Sequence, residues 1–219
     1  HLLHVAAGLD SLVLGEPQIL GQVSRAFSKA EEEVTTGPVL RALFRSALTT
    51  GKRVRNETAI GKNPASVPSV AINQARDRLG SLMDKNILLL GAGAMAQTAI
   101  KALRARDYSS ISIVNRTPAH AQALVEPWNG RTYALDELPE ALETADVVFC
   151  ATHAVHPLVT DGMLAEVMES RDQKPILLFD LAVPRDIDPA VTDIPGVTLI
   201  DIDRLHAELD ESLIARRRE

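Results

Sequence analysis

From residue 86 onward, short apolar runs alternate with stretches of helical periodicity, and this alternation constrains the fold more than any other feature of the chain. The apolar runs are 86–90, 110–114, 131–135, 146–151, 175–182 and 197–200, and the helical stretches between them are 94–106, 118–126, 136–144 and 161–170. Strands separated by helices form βαβ units, which build a parallel sheet with flanking helices. The sequence therefore predicts an α/β, Rossmann-like fold.

The composition agrees with this prediction. The chain has 219 residues, of which 46% are hydrophobic and only 3% aromatic. Its core must therefore consist of aliphatic side chains, as in parallel sheets that are buried on both faces. The length allows one large domain, or one medium domain with attachments.

The regions on either side of the alternating segment are helical. Before it, apolar residues recur at helical spacing over 16–33, 38–56 and 68–79. After it, residues 203–219 form a polar, charged helical stretch that ends in "RRRE". We therefore expect three parts, with bounds 1–60, 61–202 and 203–219.

The net charge of −6 and the isoelectric point near 5.5 argue against a dedicated nucleic-acid-binding module, which usually has a basic excess. Residues 41–62 are a local exception, because they contain six basic side chains and a single acid, Glu57. The basic residues are Arg41, Arg45, Lys52, Arg53, Arg55 and Lys62. A solvated helix face is the favoured interpretation, and a phosphate-contacting patch is the alternative.

Cellular location is indicated by the cysteine count and by the pattern of apolar residues. A single cysteine, Cys150, excludes a disulfide framework and favours a reducing compartment. The sequence has neither a signal-peptide pattern nor an apolar run near 18 residues, so we expect a cytoplasmic protein. The chain starts at His1 rather than Met, so we expect a processed chain or a fragment.

The segment "LLLGAGAMAQTAI" contains the pattern G-x-G-x-x-A at Gly91, Gly93 and Ala96. The first glycine permits the tight turn, the second lets a pyrophosphate approach the backbone, and the third small residue lets helix and strand pack closely. Because the pattern follows a predicted strand and opens a predicted helix, we expect a dinucleotide there. The predicted cofactor-binding residues of this loop are Gly91, Ala92, Gly93, Ala94, Met95 and Ala96.

The end of the second predicted strand indicates which dinucleotide binds. NAD-binding domains have an acidic residue there for the ribose 2′-hydroxyl. This chain instead has "NRT", which is Asn115, Arg116 and Thr117. A guanidinium matches the geometry of a 2′-phosphate, so NADPH is favoured over NADH; an arginine-rich surface turn is the alternative.

The segment "CATHAVHP" follows the fourth predicted strand, where this fold places the nicotinamide end of a cofactor. Thr152, His153 and His156 are positioned to line it, although a loop role without chemistry is favoured for each histidine. Cys150 ends an apolar strand, and a buried structural thiol is the favoured interpretation.

Five segments, in order, resemble the glutamyl-tRNA reductase family. They are "HLLHVAAGLDSLVLGEPQILGQV", "GKRVRNETAIGKNPASVPSVAI", "GAGAMA", "NRT" and "FDLAVPRDIDP". The resemblance implies the end of a catalytic domain over 1–60, an NADPH-binding domain over 61–202, and the start of a spinal helix leading to a dimerisation domain over 203–219. It also implies NADPH-dependent reduction of glutamyl-tRNA to glutamate-1-semialdehyde through a cysteine thioester, for tetrapyrrole synthesis.

The resemblance also implies roles for residues near the start of the chain. His1 matches a histidine that the family needs for activity. The residues that match the glutamyl-binding stretch are Ser11, Glu16, Pro17, Gln18 and Gln22. Helix capping is the alternative for Ser11 and Glu16. The family's nucleophilic cysteine lies upstream of the matched region and Cys150 does not match it, so we expect this chain by itself to be inactive.

The partners implied by the resemblance are glutamyl-tRNA(Glu), a second copy of the protein in a homodimer and glutamate-1-semialdehyde aminotransferase. No metal site and no membrane association are expected. Two other functions remain open. One is a shikimate-dehydrogenase-like NADP oxidoreductase, which would need a Lys–Asp pair for which Asp10 and Lys29 are poor candidates. The other is a non-catalytic NADP-binding module.

Overall fold

The computed structural model describes residues 1–11, 14–58, 60, 66–104, 110–126 and 130–207. The chain divides into two compact units, His1–Val67 and Pro68–Glu219. In the part of the chain that the structure describes, no helix combines the length and apolar character needed to cross a membrane.

The first unit is helical. It contains α1 (Leu2–Ala7), α2 (Pro17–Glu32) and α3 (Pro38–Glu57). Both longer helices begin at a proline, at the position where a missing N–H costs nothing because it would have no intrahelical partner. The short helix α1 was not predicted; it ends at Gly8, whose φ of 72° is the left-handed conformation that glycine readily adopts.

The helices of the first unit pack through small and aromatic residues. A Cβ added at Gly51 of α3 would overlap the carbonyl oxygen of Ala6 in α1 and lie 2.8 Å from Leu20 Cδ1 in α2. The three helices therefore meet where only glycine fits. Phe27 of α2 and Phe44 of α3 also stack, with ring centroids 5.2 Å apart.

The second unit is a parallel sheet with helices. Its helices are α4 (Val67–Leu79, whose first residue belongs to the first unit), α5 (Ala94–Arg104), α6 (Pro118–Val125), α7 (Leu138–Thr144) and α8 (Asp161–Ser170). Its strands are β1 (Asn86–Leu90), β2 (Ser110–Val114), β3 (Arg131–Tyr133), β4 (Val147–Cys150), β5 (Ile176–Asp180) and β6 (Val197–Asp201). The strand order is β3-β2-β1-β4-β5-β6, and every described pairing is parallel. This is the strand order of a Rossmann fold.

The core of the second unit is aliphatic, as the composition predicts. Every residue of β4 and β5 is buried. One aromatic pair interrupts the aliphatic packing, since Phe149 and Phe179 stack on adjacent strands with centroids 5.0 Å apart. The predicted α/β, Rossmann-like fold with a helical region before it is confirmed.

The boundaries differ from the predictions in a few places. The third strand ends at Tyr133 rather than 135, because Leu135–Glu137 form a 3₁₀ turn in which the Glu137 carboxylate accepts a hydrogen bond from the Ala134 amide at 2.6 Å. Pro189–Asp193 form a further 3₁₀ helix that was not predicted. Of the last predicted helix, 203–219, residues 203–207 are helical in the structure, where the helix begins at 202, and 208–219 lie outside the described residues.

Candidate functional site

A cavity of about 290 Å³ lies at the carboxyl ends of β1, β2 and β4. Its lining residues are Leu90, Gly91, Ala92, Gly93, Val114, Asn115, Arg116, Leu135, Ala151, Thr152, His153, Ala154 and Leu158. In the sheet, β2 lies on one side of β1 and β4 on the other, so the chain order of the strands reverses at β1. The cavity therefore lies at the topological switch point. Open parallel sheets bind their ligands at this point.

The two glycines of the loop between β1 and α5 are required for different physical reasons. Gly91 has a φ of 104°, and a Cβ there would lie 3.1 Å from the Ala151 carbonyl oxygen. At Gly93 a Cβ would meet nothing within 4 Å, so the backbone at this position is accessible to a ligand. Ala96 is 4% exposed, which fits the predicted close packing of helix and strand.

The loop leads into the N-terminus of α5, where the first amides have no intrahelical acceptor. The first backbone hydrogen bond of the helix runs from Gln97 N–H to the Gly93 carbonyl oxygen at 3.1 Å. Ala94 and Met95 lie in this first turn and do not line the cavity. A helix N-terminus preceded by accessible glycine backbone fits the pyrophosphate of a dinucleotide.

The turn after β2 places Arg116 at the cavity. The Asn115 amide donates to the Tyr133 carbonyl oxygen at 3.1 Å, and the Asn115 side-chain Nδ2 donates to the Thr117 carbonyl oxygen at 2.8 Å. These bonds fix the turn. Arg116 is exposed and has no hydrogen bond or ion pair with any described residue, so its guanidinium is available to an anion. Thr117 lies outside the cavity lining, just before α6.

The loop after β4 forms the opposite wall. Thr152 and His153 line the cavity, whereas His156 is exposed and does not. The Thr152 amide donates to Asp186 Oδ2 at 2.7 Å, and the Thr152 hydroxyl donates to Asp186 Oδ1. Asp186 is 0% exposed. Sequence reasoning missed Asp186, because no spacing rule connects it to a threonine 34 positions earlier.

Cys150 is completely buried, as expected. Burial raises the pKa of its thiol well above the usual value, and the charges of Asp180 and Asp186 raise it further. Burial also raises the pKa of Asp180, although amide N–H groups of Ile187 and Ala182 act in the opposite direction. A thiol in this environment stays protonated near neutral pH and is a poor nucleophile.

Two of the predicted residues of the first unit, His1 and Ser11, are polar groups near α1. His1 is exposed, and its Nδ1 lies 3.5 Å from Asp10 Oδ2. The Ser11 hydroxyl donates to the Gly8 carbonyl oxygen at 3.1 Å, and the Gly15 amide donates to the same oxygen at 2.8 Å. Ser11 therefore stabilises the turn that follows α1.

Glu16 lies immediately before α2 and is 7% exposed. Its side chain does not cap α2. Burial raises the pKa of Glu16, while a hydrogen bond from the Val67 amide acts to lower it. Pro17 is the first residue of α2, Gln18 is half-buried and Gln22 is exposed.

The basic segment of the sequence lies on α3, where Arg41, Arg45 and Arg53 are exposed and near acids and Arg55 is half-buried. Arg41 and Arg45 lie 3.9 and 3.6 Å from Glu31 Oε1. Arg53 Nε lies 3.2 Å from Glu57 Oε1, one helical turn away. This arrangement is typical of a solvated helix face, and Lys62 lies outside the described residues. Across the described ranges, no group of three or more His, Cys, Asp or Glu side chains could hold a metal ion.

The parallel sheet, the glycine turn and the cavity at the switch point together define the class: the second unit is a Rossmann-like nucleotide-binding domain. Comparison with known proteins agrees. Residues 73–208 match the family model described as shikimate / quinate 5-dehydrogenase, and residues 1–58 match the N-terminal domain of glutamyl-tRNA(Glu) reductase.

Individual relatives give the family. A glutamyl-tRNA reductase of Pelotomaculum thermopropionicum is 44% identical over 217 residues, which is 99% of this chain and 49% of the relative. The structure of the Methanopyrus kandleri glutamyl-tRNA reductase has a TM-score of 0.63 and 39% identity, covering 100% of this chain and 55% of that one. The chain belongs to the glutamyl-tRNA reductase family, and its residues 73–208 belong to the shikimate / quinate 5-dehydrogenase domain family.

A second solved structure is similar in fold. The nucleotide-binding domain of the Thermoplasma volcanium glutamyl-tRNA reductase has a TM-score of 0.53 at 20% identity, covering 72% of this chain and 100% of that one. The chain spans about half the length of the curated relatives it matches.

Proposed function

We propose that the second unit binds NADPH and that the chain takes part in the NADPH-dependent reduction of glutamyl-tRNA(Glu) to glutamate-1-semialdehyde, the first step of tetrapyrrole synthesis from glutamate. The observation that supports the cofactor most strongly is Arg116. It lines the cavity at the end of β2 without a partner among the described residues, where an NAD-binding domain would have an acid.

Each part of the cavity wall has a role in this proposal. Amides of Ala92 and Gly93 and of the first turn of α5 bind the pyrophosphate, while Gly91, whose own amide donates to the Val114 carbonyl oxygen at 2.9 Å, provides the turn. Arg116 binds the 2′-phosphate. Asn115 shapes the turn that presents Arg116, with Thr117 beside it. The loop after β4 faces the nicotinamide ring, which supplies the hydride when the cofactor is bound.

In the same proposal, the first unit contributes to the glutamyl site. His1 acts near the reacting carbonyl, while Glu16, Gln18 and Gln22 contact the glutamyl group together with Ser11 and Pro17. The family's thioester chemistry needs a thiolate nucleophile. Cys150 is buried with a raised pKa and cannot serve, so we expect no turnover by this chain alone. Homodimer formation and delivery of the product to glutamate-1-semialdehyde aminotransferase belong to the whole protein.

A chimera tests this function. The matching half of the Pelotomaculum thermopropionicum relative is replaced by this chain, which is feasible because 99% of the chain aligns at 44% identity. We expect the chimera to oxidise NADPH only when glutamyl-tRNA is present, and the chain alone to bind NADPH without oxidising it. A folded, NADPH-binding chimera without reductase activity would contradict the function. Turnover by the chain alone would contradict the need for an upstream cysteine.

The match of residues 73–208 favours a shikimate-dehydrogenase-like NADP oxidoreductase as the second candidate. That chemistry would need a Lys–Asp pair, but Lys29 Nζ lies 2.7 Å from Glu33 Oε1 and Asp10 lies beside His1. We therefore expect no NADP reduction with shikimate. If NADPH binds but neither substrate is turned over by the chimera, the non-catalytic NADP-binding module is the better description.

A further inference from the structure

One buried residue, Asp186, accepts hydrogen bonds from both ends of the loop that follows β4 and forms a wall of the cavity. Its carboxylate accepts the amide and the hydroxyl of Thr152 at the start of the loop. Its backbone carbonyl oxygen accepts the amides of Leu158 and Val159 at the end of the loop, at 2.7 and 3.1 Å. The segment between these points includes four cavity-lining residues, from Thr152 to Leu158.

The Thr152 hydroxyl extends this arrangement into the turn. It donates to Asp186 and also accepts a hydrogen bond from the Ala154 amide at 3.0 Å. The amides of Thr152 and Ala154 are therefore satisfied within the protein. The amide of His153, which lies between them, has no partner among the described residues. The network thus leaves one cavity-lining amide available to a ligand.

Asp186 is itself held by a second buried acid. Asp180 Oδ1 accepts the Ala182 amide at 3.1 Å, and Asp180 Oδ2 accepts the Ile187 amide at 3.0 Å. These bonds close the loop in which Asp186 lies. A buried carboxylate without partners is costly. Both carboxylates have their partners, and through Thr152 they form a hydrogen-bonded network directly behind one wall of the cavity.

We propose that Asp186 is a positioning residue, which acts through Thr152 to hold the loop after β4 in the form that receives the nicotinamide end of the cofactor. This inference rests on the proposed NADPH binding. It assigns the adenine half of the cofactor to the loop after β1 and to Arg116, and the placement of the nicotinamide half to the Asp186–Thr152 pair. Disruption of the pair should therefore affect ligands only if they contain nicotinamide.

The test is a pair of titrations of the full chain, one with NADPH and one with 2′,5′-ADP, which has the 2′-phosphate but no nicotinamide. Thr152→Val keeps the shape of the side chain and removes the hydroxyl. We expect it to weaken NADPH binding about tenfold, which corresponds to about 1.4 kcal/mol, and to leave 2′,5′-ADP binding unchanged. The fluorescence emission of bound NADPH should shift toward that of free NADPH. Thr152→Ser, which keeps the hydroxyl, should restore both properties.

Two further variants separate positioning from general stability. Thr160→Val removes a hydroxyl that accepts the Met163 amide at 3.3 Å outside the cavity, so it should lower the melting temperature without changing NADPH affinity. Asp186→Asn keeps one acceptor oxygen, and its effect on NADPH should lie between those of Thr152→Ser and Thr152→Val.

The outcomes distinguish this inference from the proposed function. If the wild-type chain binds both ligands and Thr152→Val matches it in affinity and emission, the positioning role is wrong and NADPH binding stands. Equal weakening of both ligands by Thr152→Val would also overturn the positioning role. If the folded wild-type chain binds neither ligand, the proposed function fails and this inference fails with it.

Discussion

The two units of the molecule treat buried acids differently. In the second unit, Asp180 and Asp186 each accept two hydrogen bonds through their carboxylates and are nearly or completely buried. In the first unit, the buried carboxylate of Glu16 accepts a hydrogen bond from the Val67 amide. This bond lowers the pKa of Glu16 less than burial raises it. Burial also raises the pKa of Asp180, so an acid of each unit is charged at an energetic cost, which is common at functional sites. The units differ in what the acid holds: Asp180 and Asp186 organise the loops behind a cavity wall, whereas Glu16 accepts a hydrogen bond from one described amide.

The largest expected effect comes from Asp180→Ala. This change leaves the buried amides of Ala182 and Ile187 without their acceptor, and each such loss costs about 1–3 kcal/mol. We expect the free energy of unfolding of the second unit to fall by about 3 kcal/mol or more, measured by urea denaturation. Asp193→Ala, at an exposed acid of the same unit, should leave it unchanged. A loss for Asp180→Ala as small as for Asp193→Ala would contradict the organising role of the buried acids.

The next largest effect concerns the packing of the helices in the first unit. In Gly51→Ala, the new Cβ overlaps the Ala6 carbonyl oxygen, so α1 and α3 must move apart, at a cost of about 1–3 kcal/mol. Gly21→Ala is the matched control in α2, because its Cβ would meet only the end of the Arg25 side chain at 3.4 Å. The control should be neutral or stabilising, since alanine favours helices. Thermal unfolding measures both, and NADPH affinity should be unchanged in each.

A smaller effect depends on pH. Burial alone would raise the pKa of Asp146, but Lys174 Nζ at 2.7 Å and the Asn86 amide at 2.9 Å outweigh it and lower the pKa below 3.8. Its contribution to stability is therefore present above pH 3.8 and is lost as the pH falls through the lowered value. Asp146→Asn should cost about 1 kcal/mol at pH 7 and progressively less on acidification. If the loss of stability in Asp146→Asn does not vary with pH, the charge of Asp146 does not contribute to stability.

The smallest effect has the opposite sign and lies in the first unit. Because the pKa of Glu16 is raised above 4.5, stability due to this group is present below pH 4.5 and is lost as the pH rises through the raised value. Glu16→Gln keeps an acceptor for the Val67 amide and removes the charge. We expect the variant to be slightly more stable than the wild type at pH 7 and equal to it near pH 4. Lower stability at pH 7 would contradict the assignment of burial as the dominant cause.

The fold of the second unit was predictable because its physical signals are local. The run at 86–90 is the observed β1, and the glycine pattern after it specifies the turn from β1 to α5. The third strand was predicted too long because Leu135 is apolar, although it lies in a 3₁₀ turn held by Glu137. A run of apolar residues does not distinguish the end of a strand from a turn that packs against the core.

The candidate site was predictable only in part. Arg116 and Thr152 were found because they follow strands, and the carboxyl ends of parallel strands meet at one edge of the sheet. Asp186 was not found, because its partner Thr152 is 34 residues away and no periodicity connects the two. In the first unit, the roles of His1 and Gln22 depend on likeness to the family, since both side chains are exposed and no local pattern assigns them chemistry.

The central claim, that the cavity of the second unit is an NADP-selective site, is tested most directly by calorimetric titration of the chain with NADPH and with NADH. We expect NADPH to bind at least about tenfold more tightly, because charge-assisted hydrogen bonds from Arg116 to the 2′-phosphate contribute about 1.5–3 kcal/mol. Arg116→Ala should abolish this preference and leave NADH binding unchanged. Equal affinity for both cofactors, or a preference that survives in Arg116→Ala, would contradict the claim.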